Sequence, residues 1–266
     1  MLVNTGPVSS GAASPAIADA LPTYYLVGDR IKSQLLHPQL LSISELEALI
    51  DKLRGNVASM PAPLRLSIGQ GAPLERVLAA RQRLDAHGLG QWILMPQEHE
   101  LQSKASAAHT HKLFPRNIII SDPGMLTEVD YAARLLIDEG CAEMSDHLSG
   151  KHIQGMVLVE AARQMVLAVG EKYLLSGRGR AGFITHRMDV EFHELVLPFE
   201  VDIRLHIDRL RRADSNNFKA SATTVFEQVG VGAASVRLEF SALDGRFLQS
   251  HEERLVKHRL AVETRI

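Results

Sequence analysis

The sequence predicts a mixed α+β protein, in which a small α/β region precedes a larger unit built from an antiparallel sheet and one long apolar helix. Three observations lead there. Strand-like and helical periods alternate over residues 23–97. The stretch VDIRLHIDRL alternates apolar and polar side chains without a break, and residues 154–175 form an apolar run long enough to cover a sheet.

Residues 1–22, MLVNTGPVSSGAASPAIADALP, lack a basic segment followed by a long apolar one, so they read as a disordered leader and not as a secretory signal. Residues 23–97 then read strand TYYLVG, helix ISELEALIDKLRG, strand LRLSIGQG, helix APLERVLAARQRLDAHGLG and strand QWILMP. Gly69 and Gly71 stand between a strand and a helix start. The third glycine of a dinucleotide fingerprint and the lysine of a P-loop are both missing, so a tight strand-to-helix connection is the better reading. Residues 98–110 are polar and rich in small side chains, which suggests a linker.

The second unit is expected over residues 111–260. RNIIISD and YAARLLIDEG lead to the turn DHLSGKH and the long helix, and the strand-like stretches GFITHRMDVEFHELVLP, VDIRLHIDRL, FKASATTVFEQ and AASVRLEFSAL follow. In VDIRLHIDRL, Val201, Ile203, Leu205 and Ile207 fall on one side, and Asp202, Arg204, His206 and Asp208 on the other. One sheet face is therefore solvated and the other covered, and the long helix is the element able to cover it. A curled antiparallel sheet around a central helix is the hotdog architecture.

The chain has 266 residues, 29 Lys and Arg against 31 Asp and Glu, and a single cysteine. Near-neutral charge argues against a nonspecific nucleic-acid or anionic-membrane binder, and the basic knot at Arg209, Arg211 and Arg212 is explained by a solvated turn. Cys141 alone excludes an intrachain disulfide and a zinc site of several thiolates, so a reducing cytoplasm is expected, with no metal and no cofactor. The longest apolar run, HIQGMVLVEAARQMVLAVG, carries charges in its middle, so no membrane span is expected.

Those charges are the informative feature. Glu160, Arg163 and Gln164 share one face of a helix that is otherwise apolar nearly all round. A buried carboxylate must be paired, neutralised or turned to a cavity. A structural Glu160–Arg163 ion pair is one reading; a polar stripe lining a pocket is the other. The preceding turn favours the pocket: His147 and His152 flank Gly150, and Gly155 opens the helix, where free backbone N–H groups and the positive end of the dipole can hold a carbonyl or an oxyanion.

His147, Gly155, Glu160 and Gln164 resemble the helix-start signature of hotdog β-hydroxyacyl-carrier-protein dehydratases, though the His-to-Gly spacing is one residue shorter and the flanking prolines are absent. A closer resemblance is to the A-factor biosynthesis hotdog (AfsA-like) family, over about residues 109–258. His111 and Lys112 stand before NIIISD, a D-H turn leads to Leu158–Gln164 as L-x-E-A-x-R-Q, and Phe192, His193, Val196 and Pro198 resemble a third, weaker motif. The resemblance implies an acyltransferase that condenses a β-ketoacyl group from acyl carrier protein, or a related acyl-CoA thioester, with a small phosphorylated acceptor, dihydroxyacetone phosphate, on the way to γ-butyrolactone signals of the quorum-sensing kind. Streptomycete members resemble two fused hotdog units, whereas this chain has one behind an α/β region, so the resemblance implies a homodimer with its pocket between subunits.

With that resemblance, Gly155 and Met156 are expected to hold the thioester carbonyl. Glu160 is expected to act as general base with a pKa raised by its apolar wall, and Arg163 to anchor the acceptor phosphate. His147 or His152 would share proton transfer and Gln164 would orient the carboxylate. Val157, Leu158 and residues 201–207 would bound an acyl tunnel, a role that core packing equally explains. Lys112 is either a contact for the carrier's phosphopantetheine or an ordinary surface lysine. A hotdog thioesterase or dehydratase using Glu160 and His147, and a non-catalytic acyl-ligand sensor, are the competing classes.

Overall fold

The computed structural model describes residues 21–54, 62–145, 151–175 and 181–263. Asp146 and His147 lie outside the described residues, as does the leader apart from Leu21 and Pro22.

The first sheet is parallel, with strand β1 (Thr23–Val27), β2 (Leu40–Ser42), β3 (Leu64–Ile68) and β4 (Ile93–Leu94) in the order β2-β1-β3-β4. Helix α1 (Asp29–Gln34) follows β1, α2 (Ile43–Leu53) follows β2 and α3 (Leu74–Ala86) follows β3. Strand β2 escapes a sequence reading because three residues run directly into a helix. Ser42 ends the strand and caps α2, its hydroxyl accepting from Glu45 N at 3.1 Å while the Glu45 carboxylate accepts from Ser42 N at 2.7 Å. Leu26, Leu46, Ile50, Leu66, Val77 and Leu84 form the core of this unit. Gly71 sits at φ +91°, which the tight turn after β3 requires and which an L side chain rarely adopts.

The second sheet has six strands in the order β5-β6-β8-β9-β10-β7, every neighbouring pair antiparallel. They are β5 (Gly124–Met125), β6 (Asp130–Arg134), β7 (Ala181–Phe192), β8 (Asp202–Arg212), β9 (Phe218–Gln228) and β10 (Val231–Asp244). Two short helices precede the long one: α4 (Ala107–Thr110) and α5 (Ala142–Ser145). Helix α6 (Gly155–Val169), extended by a π turn over Gly170–Leu174, packs on β7, β9 and β10, and α7 (Gly245–Glu263) ends the described chain. The β8 alternation holds: Val201, Ile203, Leu205 and Ile207 are buried, while Asp202, Arg204, His206 and Asp208 are exposed. None of those four apolar residues is more than 6% exposed, and all four belong to the packed core of the second unit.

RNIIISD forms no regular strand. Ile118, Ile119 and Ile120 are buried, yet only isolated bridges form there, Ile120 with Leu135 and Ser121 with Lys104. The Gln164 side chain on α6 stands in for a neighbouring strand: its Oε1 accepts from Ile119 N at 3.0 Å and its Nε2 donates to Asn117 O at 2.8 Å. Within residues 98–110 a 3-10 turn spans Glu98–Glu100 and Ala105 joins the core of the second unit.

The two units meet at the end of β3. Buried Gln70 donates through Nε2 to Leu135 O (2.9 Å) and Phe199 O (3.0 Å) and accepts at Oε1 from Ile137 N (2.8 Å). Arg30 of α1 donates to Met144 O and Ser145 O, both at 2.9 Å, and its backbone N–H is taken by Glu139 Oε2, also at 2.9 Å. Burial pushes the Glu139 carboxyl upward against the pull of these backbone donors.

Candidate active site

The site is assembled where α4, α5 and α6 meet. Helix α4 ends at His111, whose left-handed backbone (φ 55°) turns the chain back along α6. The turn places His111 Nε2 2.7 Å from Glu171 Oε1 and sends Lys112 inward, its side chain 15% exposed. Lys112 is thus neither a surface lysine nor at a strand start. Its Nζ lies 2.7 Å from Glu160 Oε1 and 3.1 Å from Glu143 Oε1. Burial alone would lower the Lys112 pKa; the two carboxylates together overcome it and hold the ammonium above its ordinary range.

Glu160 is the centre of the cluster. Arg163 Nε donates to its Oε2 at 2.7 Å, and Arg163 Nη2 and Gln164 Nε2 donate to its Oε1 at 2.8 and 3.0 Å. Together with Lys112, four donors converge on the carboxylate, three on Oε1 and one on Oε2. Burial alone would push its pKa up, but the hydrogen bonds from Arg163, Lys112 and Gln164 outweigh it and bring the carboxyl down to about 2. The expectation of a raised pKa is therefore wrong: the apolar helix supplies donors as well as a wall, and the donors win. Arg163 turns its Nε/Nη2 edge onto Glu160. The ion-pair reading of the helix is the observed one, extended by Lys112 into a larger cluster.

Gln164 is fully buried and orients Glu160 while bridging to residues 117–119. Gly155 packs against Phe192, since a Cβ there would fall 2.6 Å from the ring's Cζ. Met156 is 70% exposed, and His152 is half-buried beside Ile153, which bridges to Val196. The side chain of the N-cap residue, Gln154, makes no capping hydrogen bond at the start of α6. His147 is outside the described residues.

Glu143 went unnoticed in the sequence. It sits in a helix too short for any periodicity and reaches Lys112 from 31 positions away. Its Oε2, Gln154 Nε2 and His109 Nδ1 are buried without a hydrogen-bond partner. Two cavities lie away from this cluster. One of about 560 Å³ is between β3, β4 and the start of β8, with Arg65, Leu66 and Leu135 in its wall. The other, about 610 Å³, is on the open sheet face beside Asp130 and His206. Among the described residues no group of three or more His, Cys, Asp or Glu side chains could hold a metal, and no helix is long and apolar enough to cross a membrane.

Comparison with known proteins places the sequence in a family. No curated protein matches the chain in sequence. Solved structures that resemble it include a thioesterase from Haemophilus influenzae (15% identity, TM-score 0.37, covering 52% of this chain and 82% of that one). Another is a hypothetical thioesterase with coenzyme A from Streptococcus pneumoniae TIGR4 (9% identity, TM-score 0.34, covering 46% and 84%). The model of the A-factor biosynthesis hotdog domain matches residues 96–244, more than half of the chain. The chain belongs to the A-factor biosynthesis hotdog family.

Proposed function

We propose that the protein is an acyltransferase that moves a β-ketoacyl group from an acyl carrier protein or acyl-CoA thioester to the hydroxyl of a glycerol-type phosphate, with dihydroxyacetone phosphate as the acceptor and γ-butyrolactone signals as the downstream product. The observation that carries this reading is the 2.7 Å contact between Lys112 and Glu160, because it joins the two motifs of the family, H-K and E-x-x-R-Q, in one cluster. In the proposed site Glu160 is a fixed anion. It holds Lys112 and Arg163 as cations beside the uncapped start of α6, where a thioester carbonyl would meet backbone N–H groups and an acceptor phosphate would meet positive charge. In this reading the phosphate is gripped by Lys112 and Arg163 jointly. His152, and His147 in the preceding turn, are proposed to lie along the substrate's path.

The reading includes a homodimer. Strand β7 is 12 residues long and stands at the sheet edge, and an edge of that length favours pairing with a second copy.

The test is to incubate the protein with β-ketoacyl carrier protein, with and without dihydroxyacetone phosphate, and to weigh the products by mass spectrometry. An acceptor-dependent ester supports the proposal. Free acid alone would make the protein a thioesterase, an unsaturated thioester a dehydratase, and no turnover a binding protein.

A further inference from the structure

Acyl transfer to a hydroxyl needs a group that takes the hydroxyl proton, and the site offers two carboxylates. Glu160 is held as an anion by four donors, three of them supplied by two cations: Lys112, Arg163 Nη2 and Gln164 on Oε1 and Arg163 Nε on Oε2. A proton added there would have to compete with both cations. Glu143 is differently placed. Its Oε1 takes Lys112 at 3.1 Å, while Oε2 is the one carboxylate oxygen among the described residues that is buried without any hydrogen-bond partner. An unsatisfied buried acceptor is costly, and native structures keep one where a water, an ion, a ligand group or a proton completes it. Helix α5, which carries Glu143, packs on α6, whose N-cap residue Gln154 has the complementary defect: Nε2 is a buried donor without an acceptor. A hydroxyl both donates and accepts, so the acceptor's hydroxyl is of the chemical kind that either defect calls for.

We propose that Glu143, not Glu160, is the catalytic base of this site, its Oε2 receiving the proton of the acceptor hydroxyl. This rests on the acyl-transfer reading. As the acceptor O–H bond breaks, its proton passes to Glu143 and its oxygen bonds to the thioester carbonyl carbon. The C–S bond then breaks, and the departing thiolate takes the proton back from Glu143. Ester and free thiol result, and Glu143 is regenerated as a carboxylate. Lys112 bridges the two acids and keeps Glu143 beside the charge that Glu160 fixes.

The test measures thiol release from β-ketoacyl carrier protein, with and without dihydroxyacetone phosphate, by the wild type, Glu143→Gln and Glu143→Asp, over pH 4 to 9. The expected result for Glu143→Gln is a fall in turnover of roughly 10²- to 10⁴-fold, with KM for the thioester little changed and the acid limb of the pH profile lost. Glu143→Asp keeps a carboxylate opposite Lys112 and is expected to recover part of the rate and the limb, which a purely structural role would not produce. If the wild type releases thiol only to water and Glu143→Gln abolishes that, the acceptor assignment fails and Glu143 stands as a base acting on water. A Glu143→Gln protein that keeps wild-type turnover overturns Glu143 and leaves the acyl-transfer reading intact. A wild type that releases no thiol under either condition overturns both.

Discussion

Burying a carboxylate costs several kcal/mol unless donors replace its water, and the four donors on Glu160 include two cations. Removing its charge strands Arg163 and leaves Lys112 with Glu143 alone, so Glu160→Gln is expected to cost about 3 kcal/mol at neutral pH. That lowers the melting temperature by roughly 6–12 °C in a chain of this size. The pH dependence has a definite sign. The folded-state pKa of about 2 lies below the ordinary 4.5, so the stabilisation is complete above pH 4.5 and is lost as pH falls toward 2. Denaturation midpoints at pH 7, 4.5, 3 and 2 should show the gap between wild type and Glu160→Gln closing over the last three. A gap that stays constant to pH 2 would mean that the cluster does not hold Glu160 ionised. The sequence displayed the acid, the guanidinium and the amide on one helix face, because helical spacing alone dictates that. It could not display that Lys112, 48 positions upstream, closes on Glu160 through tertiary packing or that Glu143 joins it, and spacing alone did not show that the Arg163, Lys112 and Gln164 donors would outweigh burial.

At the level of elements, legibility followed the length of the repeating pattern. Strand β8 and helix α6 each present enough turns or alternations to fix which side is buried. Ile118–Ile120 look like a strand by the same measure, since a short apolar run satisfies strand and irregular core equally, and what decides is the Gln164 amide opposite them. The predicted consequence is specific. Gln164→Leu keeps the helix and its bulk but leaves the Ile119 N–H and the Asn117 C=O without their partner, for a loss of about 2–4 kcal/mol. In amide hydrogen exchange the Ile119 N–H should become much less protected in the variant while those of β9 and β10 keep their order of protection. Unchanged exchange at Ile119 would show that this amide does not rely on the side chain.

In the molecule as a whole, the α/β unit bears on the site through the same helix that carries Glu143. Arg30 holds the carbonyls of Met144 and Ser145, and Gln70 fastens the end of β3 to residues 135–137 and 199. Neither residue stood out in the sequence, because a polar side chain at a loop or a short helix carries no pattern until the partner backbone is known. The outer edge of β7 is a further feature of this scale. Exposed Arg187 and Asp189 flank Met188, and Glu191 follows on the same side. Pairing two copies antiparallel about Met188 sets Arg187 opposite the partner's Asp189 twice over, whereas centring on Arg187 or on Asp189 sets like charges face to face. The Met188 register is therefore the expected one. Asp189→Arg should weaken self-association roughly tenfold at low salt, and the double exchange Arg187→Asp with Asp189→Arg should restore it, since the pairs are then opposite again with their ends reversed. Sedimentation equilibrium at low and high salt reads both effects. A double exchange that dissociates as readily as the single variant would place the contact in another register, and a wild type that remains monomeric at every concentration would remove the shared edge, and with it the pocket between subunits.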